Sequence, residues 1–229
     1  MLPEAFLPIL QFSDGLFPTG AYAHSFGLET LVQAEKVRDA QGVEAFLRTY
    51  LRYSAAPTDA VFALCSRRAA KASDLDSCIR IDRKVHASKP AAELREASRQ
   101  MGRQTLRILA DLTKDPFAVR FAQEVAGDSA HGHHPVAFGI AGGILDWPPQ
   151  QLAAAYLYST SAVLVGASLR LLPLGQLAGQ RILWNIQPFI AELARDIQEL
   201  QEDDVWNFAP ELEIASMNHE TLEARLFRS

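Results

Sequence analysis

Trp147–Leu169, WPPQQLAAAYLYSTSAVLVGASL, runs for 23 residues between Asp146 and Arg170 without an Asp, Glu, Lys or Arg. That length is enough for a helix to cross a bilayer. The composition argues against a span. Pro148, Pro149, Gln150 and Gln151 take up the start, and what remains includes Tyr156, Tyr158, Ser159, Thr160, Ser161 and Ser168, too polar for a hydrocarbon core. A helix apolar on every side instead belongs inside a bundle. Ala153, Ala154, Ala155, Ala162, Gly166 and Ala167 would let neighbouring helices come close. The stretch is therefore expected to be the spine of an all-α protein, part of its apolar surface being available to close a homodimer.

The flanking sequence supports that class. Val43, Phe46, Leu47, Tyr50 and Leu51 follow a helical period that should end near Pro57, with Thr58-Asp59 opening the next helix. Ser73-x-x-Asp76 resembles a capping box ahead of Leu75, Ile79 and Val85. Pro90 restarts the chain, and Leu94, Ala97, Met101, Ile108 and Leu112 mark a long helix that stops by Asp115-Pro116. A short helix to Val125 follows, and His134-Pro135 opens the one carrying Phe138, Ile140 and Ile144. Beyond the spine, Leu172-Pro173-Leu174-Gly175 is a break, and Pro188 should kink or split the helix through Ile182, Ile186, Ile190 and Ile197. The count comes to roughly nine to ten helices in one domain, residues 1–202.

Residues 203–229 read as a tail. Asp196 to Glu223 holds nine acids and no Lys or Arg, and the helical period fades at Trp206-Asn207-Phe208-Ala209-Pro210. Ile214, Leu222, Leu226 and Phe227, flanked by Glu220, Arg225 and Arg228, offer an amphipathic segment, and His219, Leu222 and Leu226 share a short face. Such a segment is expected to stay mobile until a partner orders it.

The stretch Gln11–Thr30, QFSDGLFPTGAYAHSFGLET, has two turn signals, Asp14-Gly15 and Pro18-Thr19-Gly20. His24, Leu28 and Leu31 then fall on one helical face with Thr19 as N-cap. Asp14, Tyr22, His24, Ser25 and Glu29 are the polar members of a candidate site. Ala23-His24-Ser25-Phe26-Gly27 imitates the nucleophile elbow G-x-S-x-G, which would make the chain a serine hydrolase using Ser25. That motif needs a strand before the serine, and here a Gly/Pro loop stands in its place. His24 reads more simply as a hydrogen-bonded, partly buried imidazole.

With 229 residues, 48% of them hydrophobic, the chain is able to build a full core. Its net charge of -5 excludes a general nucleic-acid binder. Cys65 and Cys78 form no C-x-x-C pair, which fits a reducing cytoplasm, and no secretion signal is recognised. Basic charge is local: residues 66–107 carry eleven of the 22 Lys and Arg, with Arg95, Arg99, Arg103 and Arg107 along one helix face. That stripe is either a solvated face or a dock for an acidic protein. An RNA-binding helical adaptor is the remaining use for it, without any Gly/aromatic reader nearby. The loop Gly127–Pro135, GDSAHGHHP, gathers His131, His133 and His134, weak candidates for nickel, copper or zinc that define no closed site.

The stretches DGLFPTGAYAHSFGLE, HHPVAFG, RLLPLGQ and SMNHETLEARLFRS, in this order and spacing, resemble the urease accessory protein family UreF over nearly the whole chain. The resemblance implies a helical, usually dimeric, non-enzymatic chaperone acting with UreD (also called UreH), the GTPase UreG and apo-urease in nickel delivery. It implies no tightly bound cofactor, nickel being handled by the complex. Its partner-binding residues would include Asp14, Tyr22, His24, Ser25, Glu29, Arg95, Arg99, Arg103, His134, His219, Glu220, Leu222, Arg225, Leu226 and Phe227, with UreD ordering the tail. The absence of a G-x-x-x-x-G-K-[ST] loop leaves nucleotide chemistry to another subunit.

Overall fold

The computed structural model describes residues 5–229, so the first four residues of the expected 1–202 domain lie outside it. The described chain is all-α. Its helices are α1 (Phe6–Ser13), α2 (Leu28–Gln33), α3 (Ala40–Tyr50), α4 (Val61–Lys71), α5 (Leu75–Ser88), α6 (Ala92–Thr113), α7 (Pro116–Ala126), α8 (His134–Ile144), α9 (Pro149–Leu171), α10 (Gln176–Ile197) and α11 (Pro210–Asn218). Short 3-10 turns at Ala21–Ala23 and His219–Thr221 complete the set, and no strand occurs among the described residues.

Three boundaries differ from the sequence reading. Pro57 does not end a helix: α3 runs through a π-helical stretch, Leu51–Ala60, straight into α4. A proline inside a helix removes one N–H, and in α register the carbonyl it would serve is that of Tyr53. Here the backbone N–H of Phe208 donates to Tyr53 O at 3.0 Å, and that of Trp206 donates to Pro57 O at 3.3 Å. The wide turn survives because the 206–208 segment answers its carbonyls. Pro188 likewise lies within an unbroken α10. At α5 the cap is Asp74, whose side chain accepts from Ser77 N; Ser73 sits one residue earlier in left-handed conformation at φ 57. The expected stop at Asp115-Pro116 is realised, Asp115 capping the first two amides of α7 beyond the proline.

The spine helix α9 packs on α1, α2, α3, α4, α10 and the π-helical stretch. It is long and apolar enough to cross a membrane by length and hydropathy alone, yet half of its most apolar 18 residues is buried by other helices. The most enclosed helix is α8, lying mainly against α4 and α6, where Val136, Phe138, Ile140 and their small neighbours are buried. Fully buried Trp147 meets Phe138 edge-on at 5.2 Å and Phe12 at 5.6 Å between ring centroids. These aromatics tie α1 and α8 together.

Residues 203–229 are not a detached tail. After the 206–208 segment, α11 buries Leu212, Ala215 and Ser216 against α2 and α6, and His219, Phe227 and Ser229 are buried beyond it. The apolar face expected from Ile214, Leu222, Leu226 and Phe227 is divided: Phe227 points inward, Leu222 is half-buried, and Ile214 and Leu226 are exposed. Sequence reasoning missed these contacts because their partners, Glu29 and Glu93, lie far away in the chain.

Candidate functional site

The early loop and the 216–229 segment clasp each other. Residues 21–23 form a single 3-10 turn and His24 is extended, so His24 is not on α2 as its spacing suggested. Gly20 and Gly27 break the helical period, both with positive φ. Thr19 serves the turn, its Oγ1 accepting from Ala21 N at 3.2 Å. Gly27 lets the two segments touch: at φ +84, a Cβ there would lie 2.8 Å from Ser216 Oγ and 3.3 Å from Leu212 O. The backbone of α11 therefore rests on the start of α2.

Glu29 is the centre of the clasp. Its side chain is 2% exposed, and its oxygens accept from Leu226 N at 2.7 Å and Phe227 N at 3.1 Å. His219, fully buried, lies with Nε2 2.9 Å from Glu29 and Nδ1 2.6 Å from Glu93 of α6. The imidazole bridges the two carboxylates, one ring nitrogen facing each. Arg225 adds a 2.7 Å ion pair to the other oxygen of Glu93. Such a buried chain of charge-assisted hydrogen bonds fixes a unique docking geometry.

His24 and Ser25 hold the far end. Ser25 N donates to Ser229 O at 2.6 Å and Ser25 Oγ donates to the same oxygen at 2.9 Å. His24 Nδ1 is 2.8 Å from Ser229 Oγ. Arg228 N donates to Ala23 O, and the Arg170 guanidinium covers the Phe227 ring at 4.1 Å while donating to Tyr22 O. Ser25 is thus fully buried, preceded by no strand, and its hydrogen-bond partner is a backbone carbonyl; His24 is bonded to a different serine. Nothing activates Ser25 as a nucleophile. Ser25→Ala should leave hydrolysis of generic p-nitrophenyl esters at the buffer rate shown by the parent, and an esterase activity lost on that substitution would reinstate the hydrolase.

Beside the clasp is a cavity of about 620 Å³, walled by residues 12–22, the π-helical stretch, α9 and α11. Its polar end holds the Lys89–Asp59 ion pair at 2.8 Å, with Tyr156 donating to Asp59 at 3.3 Å. Asp14 is at the rim, where its carboxylate accepts from Leu16 N at 2.7 Å; Tyr22 is largely exposed. His134 belongs to this wall, its ring 5.4 Å from Tyr156 and 6.0 Å from Phe138 between centroids. Burial pushes its pKa from 6.5 down to about 4, and burial, then Arg228, pushes that of His24 down to about 4. Both imidazoles are therefore neutral in the folded protein near pH 7. As pH falls below about 6.5, the unfolded chain gains protons that the fold refuses, so stability should decline until about pH 4. The thermal midpoint should be lower at pH 5 than at pH 7, and equal midpoints would contradict the burial of these rings.

The remaining sequence candidates lie elsewhere. Arg95 donates to Lys89 O at 2.7 Å, Arg99 pairs with Glu96 at 2.9 Å, and Arg103 donates to His131 O at 3.3 Å. These bonds tie the arginines to their surroundings, although Arg103 and Arg107 remain exposed. Glu220 is exposed and outside the clasp. The His-rich loop is not the flexible one its composition suggests: Asp82, fully buried, accepts from His131 N, Gly132 N at 3.1 Å and His133 N at 2.7 Å. His131 and His133 are close to each other but His134 is turned into the cavity wall. Among the described residues, no group of three His, Cys, Asp or Glu side chains is disposed to hold a metal. Sequence reasoning overlooked Glu93 and Arg170, whose roles come from residues more than a hundred positions distant, and no local motif marks either.

The sequence profile of the family described as UreF matches residues 37–187. Curated relatives resemble the chain almost end to end. The urease accessory protein UreF of Bacillus sp. (strain TB-90) is 31% identical over 223 residues, covering 97% of this chain and 98% of the relative. That of Corynebacterium glutamicum (strain R) is 32% identical, with 96% of each covered, and that of Nostoc sp. (strain PCC 7120 / SAG 25.82 / UTEX 2576) 34% identical, covering 98% and 96%.

Proposed function

The chain belongs to the UreF family of urease accessory proteins, and from that premise we propose that it is a non-enzymatic assembly factor for nickel insertion into urease. In this reading it acts in the cytoplasm as a homodimer, binds UreD, recruits the GTPase UreG and modulates its activity, and presents apo-urease to the nickel that the complex carries. It holds no tight cofactor of its own. The observation that carries the reading is the clasp: a buried network spends its polar groups on positioning one segment, leaving Ile214, Met217 and Leu226 exposed on that segment. Exposed apolar side chains on a rigid support are the material of a protein interface. The test is reconstitution from purified parts. The chain with UreD and UreG should give one ternary complex by size exclusion, and adding apo-urease, Ni2+ and GTP should yield active urease; failure to associate with UreD would refute the reading.

The arginine stripe has a second place in this scheme, as the surface that meets an acidic subunit. Exposed Arg103 sits against the His-rich loop, donating to His131 O, while half-buried Arg95 donates to Lys89 O, so cationic groups gather along this face despite the internal bonds. Charge reversal at Arg99 and Arg103 should weaken binding to UreG several-fold at 50 mM salt and much less at 500 mM, because exposed charges are screened. Equal affinity at both salts would leave the arginines to their internal bonds alone.

A further inference from the structure

The cavity of about 620 Å³ beside the clasp has no part in the assembly reading, and its size lies within the roughly 300–1,000 Å³ of small-molecule sites. Its walls are mainly apolar, with Phe12, Phe17, Phe26, Leu94, Met101 and Val163 among them. Many of the polar side chains between these are already spent. Thr58 donates to Ser54 O and Thr160 to Tyr156 O, and Ser98 Oγ serves both His133 Nδ1 and the His134 backbone N–H. At the polar end two side chains are not. Tyr50 is only 8% exposed, its ring packed on Phe26 and Phe46 with centroids 6.2 and 6.0 Å away, and its hydroxyl has no hydrogen-bond partner among the described residues. The ring nitrogens of His134 have none there either.

The charge at that end is balanced. Lys89 Nζ reaches both oxygens of Asp59, at 2.8 and 3.0 Å, and Tyr156 donates to one of them, which leaves its own oxygen able to accept. Burial, then Asp59, raises the pKa of the Tyr50 and Tyr156 phenols, so both keep their hydrogens, and the His134 imidazole is neutral. An anion entering here would meet Asp59 and Glu213, and a cation Lys89 and Arg170, each after giving up its hydration. A neutral molecule avoids both costs. The unspent groups select one that hydrogen-bonds: the Tyr50 hydroxyl offers a hydrogen and lone pairs, and the neutral imidazole one N–H and one bare nitrogen. The ring faces of Phe12, Phe17 and Phe26 suit a flat aromatic body.

We infer that this cavity is a binding site for a neutral aromatic small molecule with an amine, alcohol or amide head, the head lying at Tyr50 and His134 and the rings against the phenylalanines. The site is independent of the assembly reading, and its test needs no partner. N-phenylnaphthylamine, neutral with one N–H, and anilinonaphthalene sulfonate share one aromatic body and differ in charge. The neutral probe should bind the full chain one to one, read by its fluorescence, and roughly tenfold or more tighter than the sulfonate, which must bring a charge out of water. Tyr50→Phe should weaken the neutral probe by about three- to tenfold, the loss of one hydrogen bond, and leave the probe-free unfolding temperature in place because that hydroxyl bonds nothing in the free chain. Gly166 lines the cavity with open space before it, a Cβ there meeting nothing within 4 Å, so Gly166→Phe should fill the site and abolish binding while the helical circular dichroism stays that of the parent. The proposal is overturned if the neutral probe does not bind, if the sulfonate binds as tightly, or if either variant binds the neutral probe as the parent does.

Discussion

Glu29→Ala is expected to free residues 219–229 from the body of the protein. The carboxylate it removes accepts from two backbone amides and one imidazole nitrogen, the Leu226 amide partly buried and the other two donors buried. Left in place, those donors would be orphaned at a cost of about 3–5 kcal/mol, as when one partner of a buried charged network is deleted. The segment has a cheaper course, which is to detach and let water satisfy them. The expected result is therefore local: amides 219–229 should lose hydrogen-exchange protection by two orders of magnitude or more, while amides of α4 and α8 change little. Glu29→Gln should be milder, since one amide oxygen still accepts. Unchanged protection in Glu29→Ala would mean that Phe227 and Arg170 hold the segment alone.

That network explains which parts of the molecule were legible in the sequence. Helical periods over Val43–Leu51 and Leu94–Leu112 depend on neighbours three and four positions away, and α3 and α6 follow them. The uncharged stretch at 147–169 likewise announced α9. Pro57 misled because the local rule is sound but its exception is not local: Trp206 and Phe208 supply the missing amides from far along the chain. The acidic run after Asp196 misled for the same reason. Glu202 pairs with Arg80 and Lys84, and Glu211 with Lys36, so those charges dock on a basic face rather than repel one another. For the site, His24, Ser25, Glu29, His219 and Phe227 were each recognisable as candidates, but not as members of one cluster. Nor did anything in the spacing link Tyr50 to His134 in one cavity wall.

Deleting Met217–Ser229 should abolish association with UreD and with it urease activation. The sequence alone leads one to expect that this deletion spares thermal unfolding, since the segment looks unattached. The structure changes that expectation. Removing Phe227 and His219 forfeits burial worth about 2–3 kcal/mol and uncovers His24, Ser25 and Glu29, so the midpoint should fall by roughly 5–10 °C. Loss of binding in the truncated chain would then have a weakened fold as a second explanation, and a gentler pair of substitutions separates the two. Ile214 and Leu226 are 56% and 59% exposed and contribute little to the core, so Ile214→Asp with Leu226→Asp should keep the parent's midpoint within about 1 °C. If those side chains face UreD, the double variant should bind it at least a hundredfold more weakly, because two desolvated carboxylates would replace two apolar contacts. Full affinity in the double variant, with binding still lost on truncation, would place the contact on the inner side of the clasp, and UreD would then have to open it before binding.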